Sequence, residues 1–106
     1  MLQLLKRVFS KKPKVNYKDL VKNGAIILDV RTKSEYQAGH IKDSMHISID
    51  QLDKSLDKLS NKSKPVIAVC ASGMRSKAAA SLLKASGYTN VYDAGSWKHL
   101  KEAITP

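Results

Sequence analysis

Two short, unbroken apolar runs, Ala25-Ile26-Ile27-Leu28 and Val66-Ile67-Ala68-Val69, set the main constraint on what this chain can fold into. A continuous apolar run, as opposed to an alternating one, suits a strand buried on both faces, as strands in parallel sheets are. Such strands need helices to cover them. Helical patterns between and after the runs supply that cover, so the expected class is α/β, a mostly parallel sheet in a layered fold.

The segments follow in order. Residues 17–23 read as a short helix with Asn16 at the N-cap and Gly24 just past the end. A turn or two of helix from Thr32 or Lys33 to Ala38 closes at Gly39, and a weaker extended piece lies near residues 45–47. Leu52, Leu56 and Leu59, spaced by four and three, predict one amphipathic helix over residues 50–59. After the second run, residues 76–86 carry Ala78, Ala79, Leu82 and Leu83 on one helical face, with Gly87 fitting the C-terminal cap. Residues 91–93 form a third short strand after the two strong runs, and a last helix covers residues 97–103. At 106 residues the chain is the size of one domain with one core.

In open α/β sheets ligands bind beyond the carboxyl ends of the strands. Three such ends carry polar or flexible residues here: 29–31, 70–76 and 93–96. They are expected to meet on one rim.

The second of these ends holds the only cysteine. Cys70 ends an apolar run and faces the turn Ala71-Ser72-Gly73-Met74-Arg75-Ser76, which leads into the alanine-rich helix. Backbone N–H groups and the positive end of the helix dipole meet there, and both favour the reactive thiolate over the thiol. Gly73 can adopt a positive backbone dihedral and Ser76 can cap the helix, so successive N–H groups form an anion-binding nest. Arg75 adds a fixed charge with bidentate donors. The opposing reading is an inert core cysteine, the commoner fate of a lone cysteine at a strand end, with Arg75 merely solvated. The loop and the following helix favour the nucleophile.

Asp29 and Arg31 are read as structural support of this site, Arg31 paired with Glu35 across the turn and Asp29 accepting from loop amides. His40 is read as fixing the Gly39-His40-Ile41 turn. His46 and His99 share no metal-ligand spacing with Cys70, so neither a metal nor a cofactor is expected. Tyr92 and Trp97 are read as core or rim packing.

The net charge of +10 is unevenly placed. Residues 1–14 form a basic N-terminal tail in which Lys6, Arg7, Lys11, Lys12 and Lys14 stand without an acid. Leu2, Leu4, Leu5, Val8 and Phe9 accompany them, a pattern compatible with weak contact to an anionic membrane. The tail lacks the cleavage site of a signal peptide. Beyond it, bases and acids interleave without a series of stacking aromatics, which argues against nucleic-acid binding. One cysteine cannot form an internal disulfide and no run approaches a membrane span, so a cytoplasmic location is expected.

Taken together, Leu28-Asp29-Val30-Arg31, Glu35-Tyr36, Gly39-His40-Ile41, the loop from Cys70 to Ser76, Gly87-Tyr88, Asn90-Val91, Asp93-Ala94-Gly95 and Trp97 resemble the single-domain rhodanese family. Members are thiosulfate or polysulfide sulfurtransferases. The resemblance implies a rhodanese-like domain over residues 15–106, with a central, mostly parallel five-stranded sheet flanked by helices on both faces. It implies a catalytic Cys70 that carries sulfur as a persulfide, with Ala71, Ser72, Gly73, Met74, Arg75 and Ser76 binding the substrate. Sulfane sulfur would pass from thiosulfate, polysulfide or a protein persulfide to a thiol or cyanide. Two departures stand out. Ala71 occupies a position that is often arginine in the family, which removes one cation from the pocket, and Gly95-Ser96 replaces a pair of glycines. A Cys-loop phosphatase or arsenate reductase is the nearest alternative, but those loops hold five residues between cysteine and arginine where this chain has four. A binding module without turnover is the other.

Overall fold

The structure, a computed structural model, describes residues 14–106. The basic tail expected at residues 1–14 lies outside the described residues except for Lys14, which is exposed. Among the described residues no helix is long and apolar enough to cross a membrane.

The chain alternates helix and strand: α1 (Tyr17–Lys22), β1 (Ile26–Asp29), α2 (Lys33–Ala38), β2 (Met45–His46), α3 (Ile49–Leu52), a 3-10 segment (Asp53–Leu59), β3 (Val66–Cys70), α4 (Met74–Ala85), β4 (Val91–Ser96) and α5 (Trp97–Ile104). The strands form one parallel sheet in the order β2-β1-β3-β4. β1 and β3, the two apolar runs, are its centre, and all five residues of β3 are buried. The fully apolar pattern is thus the signature of central position, where both faces are covered.

Side-chain alternation along β3 splits the core in two. Val66, Ala68 and Cys70 point into a cluster with Leu52, Leu59, Ala79 and Leu83, beneath α3 and α4. Ile67 and Val69 point the other way, into a cluster with Leu100 that Tyr17, Leu20 and Trp97 of α1 and α5 cover. Helices therefore lie on both faces, and the Cys70 side chain belongs to the α4 side.

The sheet has four strands among the described residues, not five. Its strands are the four extended segments that the sequence pattern marks. Residues 14–16 add none, because they run straight into α1, where the Asn16 side chain caps the Asp19 N–H at 3.1 Å.

Three further expectations change. The amphipathic helix over residues 50–59 is broken: α3 ends at Leu52, and Ser55 leaves helical geometry at φ −121° and ψ 19°. The Tyr88 hydroxyl donates to the carbonyls of Leu56 and Leu59 at 3.2 and 2.5 Å, which holds this tighter segment while Leu52 and Leu59 still reach the core. Helix α4 starts at Met74, not Ser76, and buries Ser76, Ala79, Ala80 and Leu83 while Ala78 is exposed. Finally, β4 continues past Asp93 to Ser96 through an irregularity in which Ala68 pairs with Asp93 and Val69 with Gly95. Ala94 is the extra residue, and Gly95 takes φ 73°, a conformation that glycine adopts without strain.

Candidate active site

Cys70 is the last residue of β3 and only 1% exposed. Because β3 is central and parallel, its carboxyl end opens directly into the turn that starts α4. Gly73 makes that turn, with a φ of 108° that L side chains rarely adopt. The turn folds the Gly73 N–H back onto the Cys70 Sγ at 3.0 Å.

Burial alone would push the Cys70 thiol up. The hydrogen bonds from the Ser76 hydroxyl and from the N–H groups of Ser76, Gly73 and Ser72 outweigh it, holding the thiol below its ordinary value. The positive end of the twelve-residue α4 acts in the same direction. A buried sulfur is thereby prepared for negative charge.

Ser76 is fully buried inside the first turn of α4. It does not cap the helix, as the sequence suggested. Its Oγ instead lies 3.0 Å from the Gly73 carbonyl and 2.7 Å from Asp93 Oδ1, so that its single proton is shared between these acceptors and the Cys70 sulfur, while the Gly95 N–H donates to that same Oδ1 at 3.1 Å. Asp93 therefore joins the start of α4 to the end of β4.

Arg75 is placed differently from a free anion-binding group. Its Nη1 and Nη2 donate to Glu35 Oε1 and Oε2 at 2.6 and 3.0 Å. Glu35 Oε1 also accepts from the Thr32 N–H at 3.0 Å, completing a capping box at the start of α2. Chiefly because of the Arg75 guanidinium, the Glu35 carboxyl is held at about 2.

The expected Arg31–Glu35 side-chain pair is accordingly absent. Arg31 pairs with Asp29, Nη2 to Oδ2 at 2.7 Å, with 4% and 0% of the side chains exposed. A buried guanidinium requires a buried carboxylate, and Asp29 at the end of β1 is the one within reach. Arg31 also donates to the carbonyls of Gly39 at 2.7 Å and Glu35 at 3.3 Å, and its Cζ lies 4.5 Å from the Trp97 ring centroid. Asp29 accepts from the Arg31 N–H at 3.1 Å rather than from the Cys70 loop. His40 Nδ1 sits 2.7 Å from the Tyr36 carbonyl with its ring stacked on Tyr36, an arrangement that fixes the turn after α2.

The three strand ends do converge. A cleft of about 480 Å³ is lined by Arg31, Glu35, Ala38, Gly39, Ala71, Trp97 and Lys98. Ala71 and Ser72 are exposed, as is Met74 at 82%. Sequence reasoning missed the supporting roles of Glu35 and Asp93 and the place of Lys98 in the cleft. The Thr32-x-x-Glu35 capping pattern could have flagged the first. Among the described residues no group of three or more His, Cys, Asp or Glu side chains could hold a metal ion.

Comparison with known proteins matches residues 13–103 to the Rhodanese-like domain family. A thiosulfate sulfurtransferase GlpE from Pseudomonas savastanoi pv. phaseolicola is 31% identical over 98 residues, which cover 92% of each chain. The solved rhodanese-like domain of an Anabaena protein superposes with a TM-score of 0.70 at 27% identity, covering 78% of this chain and 97% of that one. A rhodanese from E. coli solved with anions gives a TM-score of 0.66 at 28% identity, covering 71% and 89%.

Proposed function

This chain belongs to the rhodanese-like domain family, and from that membership and the geometry around Cys70 we propose that it is a sulfurtransferase carrying sulfane sulfur on Cys70. The observation that carries the reading is the Gly73 N–H aimed at the Cys70 sulfur at 3.0 Å, within a turn that supplies further N–H groups from Ser72 and Ser76.

Loading needs a thiolate. It attacks the outer sulfur of a donor such as thiosulfate or a polysulfide, a bond forms between the two sulfurs, and the remainder of the donor departs with the electron pair of the broken S–S bond. The product is a Cys70 persulfide whose terminal charge extends into the ring of N–H groups, stabilised as an oxyanion hole stabilises its anion. A thiolate or cyanide then attacks the terminal sulfur and returns Cys70 as thiolate. Arg75 acts through Glu35, which anchors the start of α4 to the start of α2 and so keeps the ring in shape.

A phosphatase or arsenate reductase would need the loop arginine free to clasp a tetrahedral anion. The Glu35 pair and the four-residue spacing both weigh against it. Turnover of thiosulfate and cyanide to thiocyanate, abolished by Cys70→Ser, tests the proposal; phosphoester hydrolysis with no sulfur transfer would overturn it.

A further inference from the structure

Two cationic side chains, Arg31 and Lys98, line the cleft beside the loop, and Arg75 stands behind Glu35. Two of the three are already neutralised, Arg31 by Asp29 at 2.7 Å and Arg75 by Glu35 at 2.6 Å. Lys98 is the exception. It is exposed and forms no ion pair among the described residues.

Its nearest local partners are the Trp97 ring and, one turn on in α5, Glu102, with which it forms no ion pair. Lys98 lies in the first turn of α5, where the helix dipole disfavours a cation, and no acidic residue shares that turn to offset it. Its Nζ is 5.9 Å from the Trp97 ring centroid. Trp97 and Lys98 line the same cleft as Ala71, the residue next to Cys70. They also line a second cleft of about 590 Å³ that runs on past Lys101 and Glu102 to Thr105 and Pro106, and no residue of the Cys70 loop borders that one. Lys98 therefore stands where the open surface along α5 meets the space beside the nucleophile.

We propose that Lys98 receives the anionic end of the incoming sulfur donor, resting it against Trp97 while the outer sulfur reaches Cys70. The inference builds on the sulfurtransferase reading and assigns a side chain of α5, outside the Cys70 loop, to the anionic end of its donor. As the Cys70 sulfur bonds to the outer sulfur, the donor's own S–S bond breaks and its electron pair leaves on sulfite or on the shortened polysulfide. That departing negative charge is what the ammonium faces. Lysine suits the task because a compact charge on a flexible stem accommodates leaving groups of different shape, whereas the planar fork of arginine selects one geometry. Lys98 also supplies, from α5, a cation that the loop lacks at Ala71 and that Glu35 occupies at Arg75.

Alkylation of Cys70 by two reagents that differ in charge tests this directly. With the full chain at low salt, rates are measured for iodoacetate, an anion, and for neutral iodoacetamide, in the wild type, Lys98→Gln and Lys98→Arg. The ratio of the iodoacetate rate to the iodoacetamide rate falls roughly threefold to tenfold in Lys98→Gln, the scale of a local electrostatic attraction, and recovers in Lys98→Arg. The iodoacetamide rate stays constant, reporting an intact loop. The kcat/KM for thiosulfate falls in Lys98→Gln and recovers in Lys98→Arg. An unchanged alkylation ratio with an unchanged kcat/KM overturns the role of Lys98. Failure of thiosulfate and polysulfide to load sulfur on the wild-type Cys70 is a separate result, and it overturns the sulfurtransferase reading instead.

Discussion

Glu35 and Arg75, forty residues apart in sequence, form a two-point ion pair at 2.6 and 3.0 Å that ties the start of α2 to the start of α4. Because α4 begins in the loop that carries Cys70, this pair positions the loop from outside it.

Glu35→Gln should therefore loosen the loop with little effect on α2, since glutamine still serves a capping box. Both partners are about a third exposed, at 33% and 34%, so solvent screening limits the stability loss to about 1 kcal/mol or less. Urea denaturation measures that term, and the rate of sulfur loading on Cys70 should fall more than stability does. A large stability loss with normal loading would contradict the positioning role.

The same pair sets an acid limit. The Glu35 carboxyl is depressed from 4.5 to about 2 in the folded protein, so its contribution is fully present above pH 4.5 and disappears as pH falls toward 2. Stability between pH 5 and 8 should thus owe no slope to Glu35. A wild-type slope in that window that Glu35→Gln removes would contradict the assignment.

Cys70 reactivity should rise with pH through a midpoint below the ordinary thiol value of 9.0 and then level off. Ser76→Ala removes the hydroxyl hydrogen bond but keeps the backbone N–H groups, so its midpoint should move up without reaching that of a free thiol. Iodoacetamide rates across pH give both curves. Identical midpoints would mean that the backbone alone stabilises the thiolate.

Asp29→Ala leaves the Arg31 guanidinium, 4% exposed, without its carboxylate. Removing one partner of a buried pair costs about 3–5 kcal/mol, far more than loss of the partly exposed Glu35–Arg75 pair. Urea unfolding should show the loss even where enough folded protein remains to load sulfur.

Much of this was readable in the sequence because the relevant signals are local. Continuous apolar runs gave β1 and β3, glycine and capping residues bounded the short helices, and a cysteine between a buried strand and a helix start marked the candidate nucleophile. The pairings were not local. Arg31 and Glu35, four residues apart, suggested a partnership by spacing, whereas burial sends Arg31 to Asp29 and the pairing of β1 with β3 brings Arg75, forty residues on, to Glu35. Lys98 was hidden for the same reason, since only packing of α5 places it beside Ala71. The break at Ser55 was invisible because leucines at spacings of four and three satisfy a continuous helix and a tighter, kinked segment alike.

Every residue assigned to the site lies between Asp29 and Lys98. Removal of residues 1–12 should accordingly leave sulfur loading and its rate unchanged, as judged on a truncated protein with an unaltered unfolding midpoint. Any membrane affinity carried by the basic tail should be lost in that same protein, as vesicle sedimentation with anionic lipid would show.

The intact mass of the protein after brief exposure to thiosulfate or polysulfide bears most directly on the role of Cys70. A gain of about 32 Da located on Cys70, reversed by cyanide and missing from Cys70→Ser, is the predicted result. An unmodified Cys70 with every sulfur donor, in a protein whose thiol still reacts with iodoacetamide, would contradict it.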